Sequence, residues 1–325
     1  MTETAPDPAL HGAVRAPRAD VPVARSNSVR LVTRLDLSRP DGAGGMLRLS
    51  GRAWEFEIDA RAVESVRDAA DLEAVVDYHD GRTLTRIRTS PAVPELATLV
   101  GSSAIAGFRG RVDAAVADGA ADVRAPLAQL LDDVPLGTLI SGHAVSAERA
   151  LDPHAAVGGT GYVPVGDQCA GYVDGGALIT TIAVRGHSPV ADGPVAPPLD
   201  DAFGRTPPAL GIHAMRRRRR IDRWTENGEL RFDAMFRDTY VRADGVETVI
   251  HEYELTAAVD AATGVVREAT ATPRVLPWLD CPGAVASAGR LVGTAITDVE
   301  ADVRRGFRGP HTCTHLNDLL RSITR

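Results

Sequence analysis

The clearest periodicity lies in the last third of the chain. Leu230, Phe232, Ala234 and Phe236 alternate with Arg231, Asp233 and Arg237 directly after Asn227-Gly228. A period of two behind such a dipeptide predicts a strand entered from a tight turn. After Asp244-Gly245 a second alternation runs through Val249, His251, Tyr253, Leu255, Ala257 and Val259, with Glu252, Glu254 and Thr256 opposite. His251 therefore points with the apolar set. A third strand is expected after Gly264, giving an antiparallel meander that buries one face. The period then changes: Ala284, Val285, Ala288, Leu291, Val292, Ala295, Ile296, Val299 and Val303 recur in steps of three and four, which predicts one long amphipathic helix, with Pro282 in its first turn and Gly306 as its stop. A short last helix should start near Thr314 and carry Leu316, Leu319, Leu320 and Ile323.

The same order of signals occurs earlier, where Trp54, Phe56 and Ile58 alternate with Glu55, Glu57 and Asp59. Asp77, Gly81, Thr89, Pro94 and Gly110 match Asp260, Gly264, Thr272, Pro277 and Gly293 at a constant separation of 183 positions, and Leu127, Leu130 and Leu131 resemble Leu316, Leu319 and Leu320 after a short gap. A constant offset over such a stretch points to duplication. The expected fold is α+β: two pseudo-repeated units, each an antiparallel sheet with packed helices. The boundaries that follow are a disordered tail over 1–28, a first, degenerate unit over 29–150, a bridging region with a Pro-rich linker over 151–210, and a second unit over 211–325.

Composition narrows the chemistry. A hydrophobic content of 44% in 325 residues suits globular domains. No apolar run reaches the roughly 20 residues that span a bilayer, and the Pro-rich start, Met1 to Ser28, has no signal-peptide core, so no membrane association and a cytoplasmic location are expected. A net charge of -7 gives no field to gather nucleic acid. All 36 basic residues are arginines, and without lysine neither Schiff-base chemistry nor an ordinary P-loop is available. The run Arg216 to Arg220 reads first as a strand or arm with solvated guanidiniums on both sides, and second as an anion clamp.

Three cysteines do not make a disulfide framework, which leaves metal or catalytic roles beside simple burial. Cys281 precedes Pro282 and Cys313 precedes Thr314, so both thiols stand at expected helix N-termini, where the dipole lowers a thiol pKa. With His315 two residues on and His251 facing inward, they form a candidate metal set, Cys281, Cys313, His315 and His251, for which Zn²⁺ is the first choice and iron the second. His311 can replace His251 as a ligand. His311, Glu252 and Asp238 are also the candidate acids or bases, with Asp280 and Asp318 as further supporting carboxylates; ordinary surface charge is the alternative for each acid. Cys169, in Gly166-Asp167-Gln168-Cys169-Ala170-Gly171-Tyr172, belongs to the bridging region and reads first as a small buried residue beside glycine turns and second as a residue that can reach the site. The first unit has Thr98 at the position of Cys281, and Asp122 to Leu127 where the second has His311 to Leu316. A structural metal would be expected in both copies, so the asymmetry favours one functional site with the first unit as scaffold or pocket wall.

The stretch from Arg217 to Ser322 carries Ile221-Asp222 after the arginines, then His251, Leu279-Asp-Cys281-Pro, Leu291-Val-Gly293 and Gly309-Pro-His-Thr-Cys313-Thr-His315-Leu316. In these motifs it resembles the bacterial family catalogued as domain of unknown function 2889, a resemblance that implies importance for the second unit and no particular reaction. The function expected from the residues is metal-dependent hydrolysis, hydration or elimination of a small organic substrate. The competing expectations are an enzyme with Cys313 as nucleophile and a metal-stabilised binding or assembly protein; a homo-oligomer is compatible with each.

Overall fold

The computed structural model describes residues 12–13, 15–117, 123–151, 165–186, 188–199 and 206–324. Within them, β2 (Ser28–Ser38), β3 (Leu47–Ile58), β4 (Glu64–Asp77) and β5 (Thr83–Ser90) form one antiparallel meander, and β6 (Met215–Glu226), β7 (Glu229–Val241), β8 (Glu247–Asp260) and β9 (Val266–Leu276) form another. The sequence leads one to expect a separate sheet for each unit. Instead β2 pairs antiparallel with β6, and the two meanders become one continuous sheet of nine strands among the described residues, in the order β1-β9-β8-β7-β6-β2-β3-β4-β5. Its ninth member, β1 (Gly12–Ala13), pairs with β9, so part of the expected tail is bound to the sheet edge; residues 1–11 lie outside the described residues.

The turn chemistry explains the register. Asn227 and Gly228 both have positive φ, 52° and 78°, and close the two-residue β6–β7 hairpin with Glu226 opposite Glu229. Each meander is followed by a 3-10 helix (Pro94–Leu99 and Cys281–Leu291), a short helix (α1, Phe108–Val116, and α5, Val299–Gly306) and a core helix (α2, Ala125–Ile140, and α6, Thr314–Ser322). The last of these begins where Thr314 predicts. Between α2 and β6 the connector carries α3 (Gly142–Leu151) and α4 (Ala177–Arg185).

The long helix predicted over Ala284 to Val303 is two shorter pieces. Val292 is extended and Gly293 has φ 90°, which ends the first piece; Val299 then opens α5. Ala284, Ala288 and Leu291 in the first piece and Val299 and Val303 in the second are buried, while Val292 at the break is exposed, so the spacing holds within each piece and the continuous backbone does not. The core lies between one sheet face and helices α2 and α6. Gly137 of α2 comes so close to Leu35, Leu37 and Leu49 that a Cβ there would stand 2.8 Å from Leu35 Cδ2, a helix–sheet approach that glycine permits.

The arginine run is the larger correction. Met215–Glu226 is the strand at the middle of the sheet, and Arg216 to Arg220 are all buried, not solvated. A strand sends alternate residues to opposite faces. Arg217 and Arg219 enter the helix-covered face, and Arg216, Arg218 and Arg220 the other; each is held by carboxylates or a carbonyl, as buried charge requires.

Candidate functional site

The pairing of β7 with β8 brings Asp238 directly opposite His251, at a β-bulge between Asp238 and Thr239. A bulge re-aims side chains next to a site. The first turn of α6 brings His315 onto the same spot: its ring stacks on that of His251 at 3.8 Å between centroids and 22° between planes. His251 Nδ1 is 3.3 Å from Asp238 Oδ2 without well-directed hydrogen-bond geometry. One ligand atom from each of Asp238, His251 and His315 lies within 4.8 Å of the other two. His251 Nδ1 and His315 Nε2 are buried and unpartnered, a state that normally marks an ion, a water or a catalytic role.

Arg217 fixes the charge state of this group. Its Nη1 donates to both Asp238 oxygens, at 2.7 and 2.9 Å, and its guanidinium lies over the Phe236 ring at 4.5 Å. Burial would raise the Asp238 pKa, but Arg217 and then His251 outweigh it and hold the carboxyl below its ordinary range. Arg217 also reaches Asp133 of α2 and Asp318 of α6, which Arg219 shares. Arg109 and Arg321 close this buried network through Asp132 and Asp318. Asp318 is kept well below the usual carboxylate range by Arg219, Arg217, Arg321 and Arg109 against its burial, whereas for Asp133 burial wins and its pKa rises. Burial and then His251 push His315 well below 6.5, so its ring is neutral at pH 7.

The thiols gather at the edge of the same site. Cys313 Sγ is 3.8 Å from His315 Nδ1. The connector delivers Cys169: Ala170 N–H donates to the Thr312 carbonyl at 2.8 Å, and Gly171 packs so tightly on Cys281 that a Cβ would stand 2.7 Å from its Sγ. All three cysteines are free. The placement of Cys281 and Cys313 at helix starts predicts lowered thiol pKa values, and the structure reverses that direction. Burial, followed by Cys169, lifts Cys313 to about 12, and burial, followed by Cys313, lifts Cys281 well above its usual value. A short dipole does not offset desolvation of a thiolate.

Of the residues singled out in the sequence, His251, His315 and Asp238 come together, with Cys313 beside them. Cys281, the first residue of its 3-10 helix, is buried behind Gly171 and does not share the three-donor group. Glu252 faces the opposite side of β8, paired with Arg237 and accepting from the Arg18 N–H. His311 is exposed in the turn before α6. Asp280 accepts from the Ala177 N–H at the start of α4. Sequence reasoning missed His143, Tyr253 and Arg217. Tyr253 points with His251 in the alternation of β8, and burial and then the Cys313 and Cys281 thiols push its hydroxyl pKa far up. His143 is the second residue of α3, a helix the sequence pattern did not single out, so nothing local marks it.

Residues 215–325, about a third of the chain, match a family model described as "Protein of unknown function (DUF2889)". The match begins at β6 and includes every donor of the Asp238, His251 and His315 group. No curated protein and no solved structure matches the chain. No helix among the described residues is long and apolar enough to cross a membrane.

Proposed function

We propose that Asp238, His251 and His315 form a divalent-metal centre of an enzyme that hydrolyses, hydrates or eliminates from a small organic substrate. The observation that carries this is that one ligand atom from each of two imidazoles and an ionised carboxylate lies within 4.8 Å of the others, in a group where His251 Nδ1 and His315 Nε2 are buried and unpartnered. Two imidazoles and one carboxylate suit Zn²⁺, the first choice, and Fe²⁺, the second. Such an ion would supply Lewis acidity for polarising a substrate oxygen or activating water. The protein's own groups do the rest. Arg217 keeps Asp238 ionised and oriented, and burial keeps His315 unprotonated and able to donate its lone pair. Stacked rings do not aim their in-plane lone pairs at one point, so loading requires His251 and His315 to splay.

A second reading has one specific support, the 3.8 Å contact of Cys313 Sγ with His315 Nδ1. There the thiol is the nucleophile and His315 accepts its proton. Elemental analysis of full-length protein purified without a metal-affinity tag, alongside Asp238→Asn, separates the two. Metal in the wild type that is lost in the variant supports the centre; metal-free protein alkylated at Cys313 in a His315-dependent manner supports the thiol.

We also propose that the two meanders are copies of one ancestral unit. The β-bulges at Glu55/Phe56 and Val75/Val76 recur at Asp238/Thr239 and Ala258/Val259, each 183 positions on. At the β2–β6 joint, Arg30 grips Asp222 through Nε and Nη2 at 2.6 and 2.8 Å while donating to the Pro22 carbonyl at 2.8 Å. Arg216 grips Asp36 through the same atoms at 2.6 and 2.9 Å while donating to the Pro208 carbonyl at 2.8 Å. The matching residues are all 186 apart, as a two-fold axis through the Thr33–Arg219 pair requires. In this scheme the first copy is scaffold and the second carries the chemistry.

A further inference from the structure

The connector sets one cysteine against the start of α6, where another stands. Asp167 N–H donates to the Tyr172 carbonyl at 2.7 Å, Tyr172 N–H to the Cys169 carbonyl at 2.9 Å, and Asp174 N–H to Asp167 Oδ1 at 3.0 Å, so the loop that holds Cys169 is closed on itself. Facing it, Thr312 donates from both N–H and Oγ1 to the Gly309 carbonyl, at 3.1 and 2.9 Å, and Asn317 N–H donates to the Cys313 carbonyl at 2.8 Å. One backbone bond joins the two turns, from Ala170 N–H to the Thr312 carbonyl at 2.8 Å. The residues flanking that bond are Cys169 and Cys313, and both are extended, with φ -160° and ψ 174° for the first and φ -136° and ψ 128° for the second. Standard peptide dimensions hold the Cα atoms on either side of such a bond about 4–6.5 Å apart, a span that falls largely within the roughly 4.4–6.8 Å of disulfides. The two thiols also feel each other, since Cys169 is the first cause after burial of the raised Cys313 pKa. Cys169 is half-buried and Cys313 buried, so an oxidant arriving from solvent meets Cys169 first.

We propose that Cys169 and Cys313 are a redox pair, free when reduced and closing on oxidation to a disulfide that staples the connector to the first turn of α6. The oxidant class is a small organic disulfide. The Cys169 thiolate attacks one of its sulfurs, and half of the oxidant leaves as a thiol. The Cys313 thiolate then attacks the Cys169 sulfur and expels the other half as a second thiol. The protein gives up two protons and two electrons, and the small disulfide takes up both. Burial raises the Cys169 pKa, and the Gly171 and Tyr172 N–H groups oppose it only in part, so the first step is slow at neutral pH and quickens in alkali. Cys281 packs beneath Gly171 instead, with its N–H on the Trp278 carbonyl at 3.1 Å, and stays a thiol in this scheme. The pair needs no metal and goes beyond the metal reading of the site. Its consequence there is local: Cys313 Sγ lies 3.8 Å from His315 Nδ1, and once oxidised it has no proton to give that imidazole, which switches off the nucleophile of the thiol reading.

The test equilibrates native, full-length protein with mixtures of reduced and oxidised glutathione at mildly alkaline pH. Acid then stops exchange, a maleimide labels the remaining thiols in denaturant, and intact mass and a non-reduced peptide map are read. The three thiols of the reduced chain should fall to one, with the chain lighter by two hydrogens and one cross-linked peptide pair joining Cys169 to Cys313. Cys281→Ser should form the same link. Cys313→Ser should stop at a glutathione adduct on Cys169, and Cys169→Ser should form no link. A link that includes Cys281, an adduct on Cys169 that the wild type leaves unresolved, or three free thiols at the most oxidising ratio overturns the pair. The map is read first on the unaltered protein, so a variant that fails to fold does not decide the outcome. None of these results bears on the metal centre, whose own test reads metal content.

Discussion

The two meanders share their bulges and the ion pairs at their joint, yet they fill the same inner positions differently. Opposite the carboxylate at each first bulge, the first unit has Leu31 and the second Arg217. At 183 positions' separation, Ala70 answers Tyr253 and Asp68 answers His251. The first meander's inner face is aliphatic, with Leu31, Leu35, Leu49 and Leu72 buried, while the second buries Arg217, Arg219 and Asp238 in equivalent depth, the network being completed by Asp318 of α6 and by Asp132 and Asp133 of α2. An apolar core of similar volume is often as stable as a buried ion network. The inner face of the first meander shows that strands of this arrangement pack without the charges. Their presence in the second therefore points to the site they orient, and each expectation below probes that difference.

The largest effect is expected at Arg217. Replacing it by Met leaves Asp238, Asp133 and Asp318 short of a buried counter-charge and should cost about 3–5 kcal/mol in urea unfolding, whereas Leu31→Met in the first unit should cost less than about 1.5 kcal/mol. Equal losses would mean that the two cores are not different in kind. Next comes Gly171→Ala, whose new Cβ meets Cys281 Sγ at 2.7 Å. It should cost about 1–3 kcal/mol, read as a lower thermal midpoint together with faster thiol alkylation.

Acid should weaken the second unit first. His143 is held at about 3 by burial and then His251, against 6.5 for a free histidine, and His315 also lies well below 6.5. As pH falls below 6.5 the unfolded chain takes up protons that the native rings refuse. The stability tied to their neutral state is thus complete above 6.5 and lost progressively toward 3. Urea midpoints between pH 7 and 4.5 should fall, less steeply in His143→Gln; an unchanged slope would contradict the burial of that ring. The smallest effect is expected at His311, exposed in its turn: His311→Ala should alter stability by under about 0.5 kcal/mol and leave metal content as in the wild type.

How much of this was legible in the sequence depended on distance along the chain. Strands β7 and β8, the Asn227-Gly228 turn and the start of α6 at Thr314 were readable because period and turn chemistry are local. The break at Gly293 was not, since apolar spacing persists across it. The arginine run misled because a run of charge reads as solvated, and its partners Asp133 and Asp318 lie 84 and 101 residues from Arg217. His251 and His315 were found by residue type and facing, and Asp238 only as an acid in reach. His143 left no local trace, for its ring finds its place only when the connector folds back and meets Tyr240 of β7 edge-on.

The most direct measurement is the metal content and thermal unfolding of full-length His315→Ala beside the wild type. Wild-type protein should carry about one transition-metal ion, and the variant should lose most of it while keeping its fold within the few degrees that about 1 kcal/mol shifts a domain of this size. A wild type that is folded and metal-free contradicts the centre. A variant that unfolds along with metal loss contradicts catalysis there, because metal-binding energy would then be folding energy.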